Sequence, residues 1–176
     1  MPQATYQLDP AHTGVHFSVR HLMLSNVRGE FTKVSGTVVA DTENPANSSI
    51  EASIDADSIS TRDPQRDGHL KSADFLDTAQ FPAITFRSTK IEIHSGGGKV
   101  TGDLTIRGVT RPVTLEVEGP TEEVKDPWGM QRIAASATAT INRKDFGVAW
   151  NAALEKGGVV VGDDVKITID VEAIRK

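Results

Sequence analysis

Cysteine is absent from the 176 residues, which excludes disulfides, thiolate metal sites and cysteine nucleophiles and leaves the compartment open. Aromatic residues are scarce at 5%, low for a chain that has to fill its own core. Positive charge is not in excess: 19 Lys and Arg face 24 Asp and Glu, for a net charge of −5. No basic run is long enough to form a nucleic-acid surface, so no nucleic-acid partner is expected. No apolar run approaches the roughly 20 residues of a membrane-crossing helix, and the chain is not expected to span a membrane. The opening residues, MPQATYQLDP, have neither the basic lead nor the apolar centre of a signal peptide. As written, the chain is expected to be cytoplasmic, and periplasmic if a leader has been trimmed from it.

What is present is a long series of alternating apolar positions. With 38% hydrophobic residues and this length, residues 1–176 are expected to form a single domain with a real core. Val15, Phe17, Val19 and His21 share one parity, the mark of a strand with one buried face. Tyr6 and Leu8 precede it as an edge segment ended by Asp9-Pro10. A second strand is expected over Phe31 to Asp41, with Gly29 and Gly36 as bends or bulges. Ile50, Ala52, Ile54 and Ala56 mark a third. Ile84 and Phe86 open a fourth, and Ile91 and Ile93 fall on the other parity, which requires a bulge at Ser88 to Lys90. Val100, Leu104 and Ile106, then Val113, Leu115 and Val117, mark the fifth and sixth. Ile133, Ala135, Ala137, Ala139 and Ile141 mark the seventh, and Val165, Ile167, Ile169 and Val171 the eighth. Strands in succession with hairpin-length links predict an all-β fold, a single antiparallel eight-stranded barrel.

One stretch breaks the rhythm. Asp63-Pro64 offers a capping carboxylate followed by a proline at the first helical position. Ser72 can cap a second short turn, and Phe81-Pro82 returns the chain to an extended path. This predicts a short helical plug near residues 62–77, with Leu70, Phe75, Leu76 and Phe81 turned inward and Arg62, Arg66, Asp67 and Lys71 near the rim. The remaining irregular stretches, 119–129 and 149–162, read as loops of one domain, the second with room for one helical turn.

Catalytic and metal chemistry find little support. His12 and His16 would lie about 13 Å apart on a strand, too far to share an ion, and no metal is expected. No G-x-S-x-G elbow is present, and the glycine runs at Gly96 to Gly98 and Gly157-Gly158 are not followed by helices. Asp163-Asp164 reads as a solvated turn. Arg107 and Arg111 flank one hairpin turn, where they either are solvated or meet an anionic head group. His21, on the apolar face, is either a satisfied core residue or a polar contact inside a cavity. His69 is expected in a salt-bridged rim with Arg66 and Asp67. The small side chains of Ala135, Ala137 and Ala139 leave two readings open. Either they leave volume for an apolar ligand, or they admit the plug or a neighbouring strand. An enzyme with His21 or His69 as base, and a barrel packed solid by its own side chains, remain the rivals to a lipid-filled barrel.

Taken in order, a set of motifs resembles the YceI-like family of polyisoprenoid-binding proteins, which have a lipocalin-like barrel. These are Leu8-Asp9-Pro10 with His12, the V-x-F-x-V-x-H of Val15 to His21, Gly29-Glu30-Phe31, and Arg66-Asp67-Gly68-His69-Leu70 with Ser72, Asp74-Phe75 and Phe81-Pro82 with Phe86. Gly102 to Thr110, Asn142 to Gly147 and Val161-Gly162-Asp163 complete them. The resemblance implies a barrel threaded by a long isoprenoid tail, a polyprenyl phosphate or an isoprenoid quinone, serving transport, storage or stress protection. It implies no catalytic residues and no cofactor beyond the bound lipid. Members are often dimers, which makes a homodimer an expectation, and many are exported to the periplasm. Strand parity selects the expected lining: Val15, Phe17, Val19 and His21 with Phe31; Ile84 and Phe86; Leu104 and Ile106; Ile133, Ala135 and Ala137; Ile167 and Ile169.

Overall fold

The computed structural model describes residues 3–152, 154 and 158–176. β1 (Gln3–Leu8) and β2 (Gly14–His21) both pair antiparallel with the same edge of β12 (Val161–Arg175), so they are two halves of one bent strand. β3 (Ser25–Phe31) and β4 (Val34–Asp41) form a second such strand, broken at Thr32-Lys33 and paired with β2 and β1 respectively. β5 (Ser49–Asp55) with the two-residue β6 (Ile59–Ser60) makes the third. β7 (Ala83–His94), β8 (Gly97–Ile106), β9 (Val109–Glu118) and β11 (Gln131–Asn142) follow in sequence order around the wall. The ring closes where β11 pairs with β12 along a ladder from Arg132 opposite Ile174 to Asn142 opposite Asp164. The result is a closed antiparallel barrel of 8 strands. A short β10 (Val124–Lys125) folds back on the start of β11.

Several expectations change. Tyr6 and Leu8 are not on an edge: β1 is paired on both sides and both side chains are buried. Asp9-Pro10 ends β1 as expected, in a turn closed by the His12 N–H on the Asp9 carbonyl, before the chain resumes as β2. Ser25–Phe31 is a full strand whose signal is masked by Gly29 at an inward position. Gly29 is not a bend; it faces the ring of Phe17, its register partner, and a Cβ there would collide with that ring. Gly36 likewise sits in a paired strand, against the Glu51 carbonyl. Gly102 leaves the same kind of space for the ring of Phe86. A barrel with few aromatics thus seats them over inward glycines. The expected bulge is present, as a register shift between Ser88 and Lys90. Ala56 lies in a 310 turn, not in a strand.

The plug is the helix α1 (Pro64–Lys71), capped by Asp63, whose side chain accepts from the Gln65 and Arg66 backbone N–H groups. α1 lies at the end of the barrel where β2, β9 and β11 cross from strand to loop or turn. There β9 and β11 part: they pair only from Glu118 opposite Ser136 to Glu116 opposite Thr138. The 310 turn Arg143–Phe146 fills the gap beside β9, and Arg111 Nε donates to the Asp145 carbonyl at 3.2 Å. Two apolar clusters result. Phe75, Ile84, Leu104, Phe146 and Val148 pack beneath the plug, and Tyr6, Leu8, Val15, Val34 and Ala173 pack toward the far end.

Candidate ligand cavity

Between and around these clusters runs a cavity of about 900 Å³. Each residue selected by parity lines it: Val15, Phe17, Val19, His21, Phe31, Ile84, Phe86, Leu104, Ile106, Ile133, Ala135, Ala137, Ile167 and Ile169. Ala139 does not. The same wall includes residues that parity had placed on these faces but had not singled out, such as Val100, Val113 and Leu115. It also includes Phe146, Val148 and Trp150, which come from non-periodic segments and left no pattern to find.

The plug end is built from hydrogen bonds to carbonyls. Thr61, buried, is held from both sides: Asp67 Oδ1 accepts from its N–H at 2.8 Å and its hydroxyl at 2.6 Å. Arg66 Nε donates to Thr61 Oγ1 at 2.7 Å and Nη2 to its carbonyl at 2.8 Å. Arg66 and Asp67 therefore do not pair with His69, as had been expected; His69 Nε2 meets Asp74 Oδ2 at 2.9 Å. The His69 ring stands edge-on to Phe75 and Trp150, at centroid separations of 5.0 and 4.8 Å. Leu70, Phe75 and Leu76 line the cavity as expected of the plug. Phe81 instead covers the β8–β9 turn at Gly108.

Trp150 is positioned by Arg143. This guanidinium is buried and donates to the carbonyls of Val148 (2.7 Å), Trp150 (2.9 Å), Gly162 (2.8 Å) and Val161 (3.3 Å). Burial pushes its pKa down, opposed by Asp163 3.9 Å away. Asp163 also meets Lys144 at 3.2 Å, so it is an ion-pair member rather than a free turn residue. Arg107 Nη1 donates to the carbonyls of Phe75 (3.0 Å) and Gly147 (3.3 Å). Neither Arg107 nor Arg111 lines the cavity; both tie loops together and are not available there to a head group. The expected helical turn within 149–162 falls partly on residues 153 and 155–157, and with it Gly157; these lie outside the described residues.

The far end is closed by charge. Arg132 donates to Asp126 (2.7 Å), Asp9 (2.7 Å) and Glu172 (3.0 Å). Its hydrogen bond, with one from His12, holds the Asp9 carboxyl down at about 2. Asp126 is lowered by the same guanidinium. Asp9, His12 and Glu172 bring ligand atoms within 4.8 Å of one another. Arg132 already supplies at that point the positive charge that a cation would bring. Beside this network, the Tyr6 hydroxyl donates to Glu123, which also pairs with Arg175. His16, on the outer wall, lies 3.7 Å from Glu30.

An eight-stranded up-and-down barrel with a continuous apolar cavity and a helical plug defines a lipocalin-like ligand-enclosing fold. The chain belongs to the YceI-like domain family, which it matches over residues 6–173. It is 38% identical to UPF0312 protein SA2479 of Staphylococcus aureus over 169 residues, 95% of each chain. A crystallised YCEI protein of Campylobacter jejuni superposes with a TM-score of 0.74 at 31% identity, over 89% of this chain and 90% of that one. A polyisoprenoid binding domain from Saccharophagus degradans shares the fold at a TM-score of 0.69 and 16% identity, over 98% of this chain and 99% of that one.

Proposed function

We propose that the chain binds a long isoprenoid lipid, a polyprenyl phosphate or an isoprenoid quinone, and serves in its transport, storage or protection under stress rather than as an enzyme. The observation that carries this is the cavity: about 900 Å³ of mainly apolar space running the length of the barrel. Its lining is mainly apolar, so water inside it would find few hydrogen-bond partners. A barrel packed solid is the wrong description of this interior, and an occupant that buries apolar surface gains about 25 cal/mol per Å² of it. A lining of Val, Ile, Leu, Phe and Ala with few polar atoms suits a hydrocarbon chain rather than a sugar or nucleotide. The likeness to the polyisoprenoid binding domain of Saccharophagus degradans supports an isoprenoid as that chain.

The head group belongs at the plug end, where Arg20, Arg66 and His69 line the opening. A phosphate would use the cations; a quinone carbonyl would accept from His69 or Arg66. The test is mass spectrometry of an organic extract of the purified protein beside a matched control, repeated with Ala137→Phe. Ala137 sits mid-wall between Val117 and Ile169, so the larger ring enters the channel. The expected result is a stoichiometric isoprenoid in the wild type and about a tenfold lower occupancy in the variant, with the fold retained. An empty wild-type extract that takes up no added polyprenol or quinone, or an unchanged occupancy in Ala137→Phe, would overturn the reading.

A further inference from the structure

The β2–β3 hairpin ends in three consecutive large apolar residues, Leu22, Met23 and Leu24, with 36, 53 and 78% of their surface exposed. The turn backbone does not suit them. Leu22 and Met23 hold φ of 54° and 62°, the left-handed region that hairpin turns normally fill with Asn and Gly. A turn shaped only by folding would carry those residues. Instead strained positions present greasy side chains to solvent, and the tip is held firmly: the Leu22 N–H donates to the Val160 carbonyl at 2.8 Å, and the Leu24 N–H to the His21 carbonyl at 3.0 Å.

The tip adjoins the cavity: Arg20, His21 and Val160, at its base, line it, as do Gln65 and Arg66 of the plug. The outward face below the tip carries Arg20, Arg28 and Lys166, none of which makes an ion pair among the described residues; Asp164 and Glu30 are the acids nearest them, with Asp170 further from the tip. This is a local reversal in a chain of net charge −5. A second exposed apolar group, Val124, Trp128 and Met130 at the far end, sits instead beside Glu122, Glu123, Lys125 and Asp126, with Glu123 paired to Arg175 and Asp126 to Arg132. An anionic surface discriminates between the two, attracting the first, whose cations make no ion pair, and gaining little from the second, whose charges are balanced.

We propose that the Leu22–Leu24 tip is a membrane-docking element: it enters the interface of an anionic bilayer, steered by Arg20, Arg28 and Lys166, and sets the plug-end mouth against the lipid from which a ligand is taken or to which it is given. Its purpose rests on the lipid-binding reading; the docking itself is tested without any isoprenoid. The full chain is sedimented with vesicles of phosphatidylcholine containing about 30% phosphatidylglycerol, and with vesicles of phosphatidylcholine alone. Three variants are compared: Met23→Ser/Leu24→Ser, Arg20→Gln/Arg28→Gln, and Trp128→Ser. Binding is expected on the anionic vesicles, weakened as salt rises from about 0.1 to about 1 M and the screening length falls to about 3 Å. It is expected to drop about tenfold or more in each hairpin variant and to stay unchanged in Trp128→Ser. The tip is exposed, so the melting temperature of the hairpin variants should hold. No binding to anionic vesicles, equal binding by the serine hairpin variant, or loss in Trp128→Ser alone overturns the proposal. A shift of the serine hairpin variant from dimer to monomer also overturns it, making the tip a contact between copies. Isoprenoid in the extract without vesicle binding sinks docking alone; vesicle binding without isoprenoid sinks the ligand reading alone.

Discussion

The two ends of the barrel are closed by different physics. At the plug end the arginines bond chiefly to backbone carbonyls: Arg143 to Val148, Trp150, Gly162 and Val161, Arg107 to Phe75 and Gly147, Arg66 to Thr61. At the far end they run between opposite charges: Arg132 with Asp9, Asp126 and Glu172, and Glu123 with Tyr6 and Arg175. A guanidinium on neutral carbonyls keeps its partners across the ordinary pH range, whereas a carboxylate loses its charge in acid. The guanidinium–carbonyl bonds of the plug end should therefore be nearly indifferent to mild acid, and the Arg132 network of the far end should loosen before them.

The comparison breaks most severely at Arg143. Arg143→Met removes the donors of four carbonyls that have no replacement in an apolar surrounding. We expect a loss of about 3 kcal/mol or more, a fall of roughly 10 °C in melting temperature for a chain of this size. Trp150 should lose its fixed place against His69 and Phe75, visible as a red shift and loss of intensity structure in its emission. A variant that melts like the wild type would show that the plug end is held by apolar packing alone.

A smaller effect is expected at Arg132. Arg132→Gln leaves Asp9 and Asp126 without their cation, and the sign of its pH dependence follows from the depressed carboxyls. Asp9 titrates at about 2 when folded against an ordinary value of 3.8. Its contribution is thus fully present above the ordinary value and is lost as pH falls through the folded one. Wild type should be clearly more stable than Arg132→Gln at pH 7, and the gap should close between about pH 4 and pH 2. Urea midpoints for both proteins across that range check this. A gap that stays constant would mean that the arginine acts through its stem and not through the carboxylates. Arg143→Met serves as the contrast, since its deficit should be flat over the same range.

How much of this was legible in the chain depends on the distance over which the signal is written. Strand parity is local, so most of the strands, the faces they turn to the cavity and the bulge at Ser88 to Lys90 could be read directly. The Asp63-Pro64 cap of α1 was local too. Ser25–Phe31 was missed because its inward glycine makes sense only opposite Phe17, a relation between strands. The break of the second strand was placed at glycines for the same reason, when it falls at Thr32-Lys33. Arg107 and Arg111 looked like head-group cations beside a turn, yet their partners are carbonyls some thirty to forty residues away. Asp9, Asp126, Arg132 and Glu172 are scattered along the chain and meet only when β11 and β12 close the ring. Arg143 and Trp150 sit in segments with no period at all, so the residues that frame the mouth were the least visible.

The finest test of the far end lies at Tyr6. Its side chain is buried in the far cluster while its hydroxyl donates to Glu123. Burial first, then the bond to Glu123 and the charge of that carboxylate, raise its pKa above the ordinary 10.0, while Arg175 pulls slightly the other way. A raised pKa means that the folded state favours the neutral phenol, so the contribution is complete below pH 10 and is lost as pH rises through the folded value. Tyr6→Phe keeps the ring in place and removes only the hydroxyl, so the melting temperature at pH 7 should fall by about 2–4 °C. Above pH 10 the wild type should lose stability faster than the variant, and the two curves should converge. Curves that stay parallel through the alkaline range would show that the phenol does not titrate against Glu123 in the folded protein, leaving the Arg132 network as the charge-based closure that matters at this end.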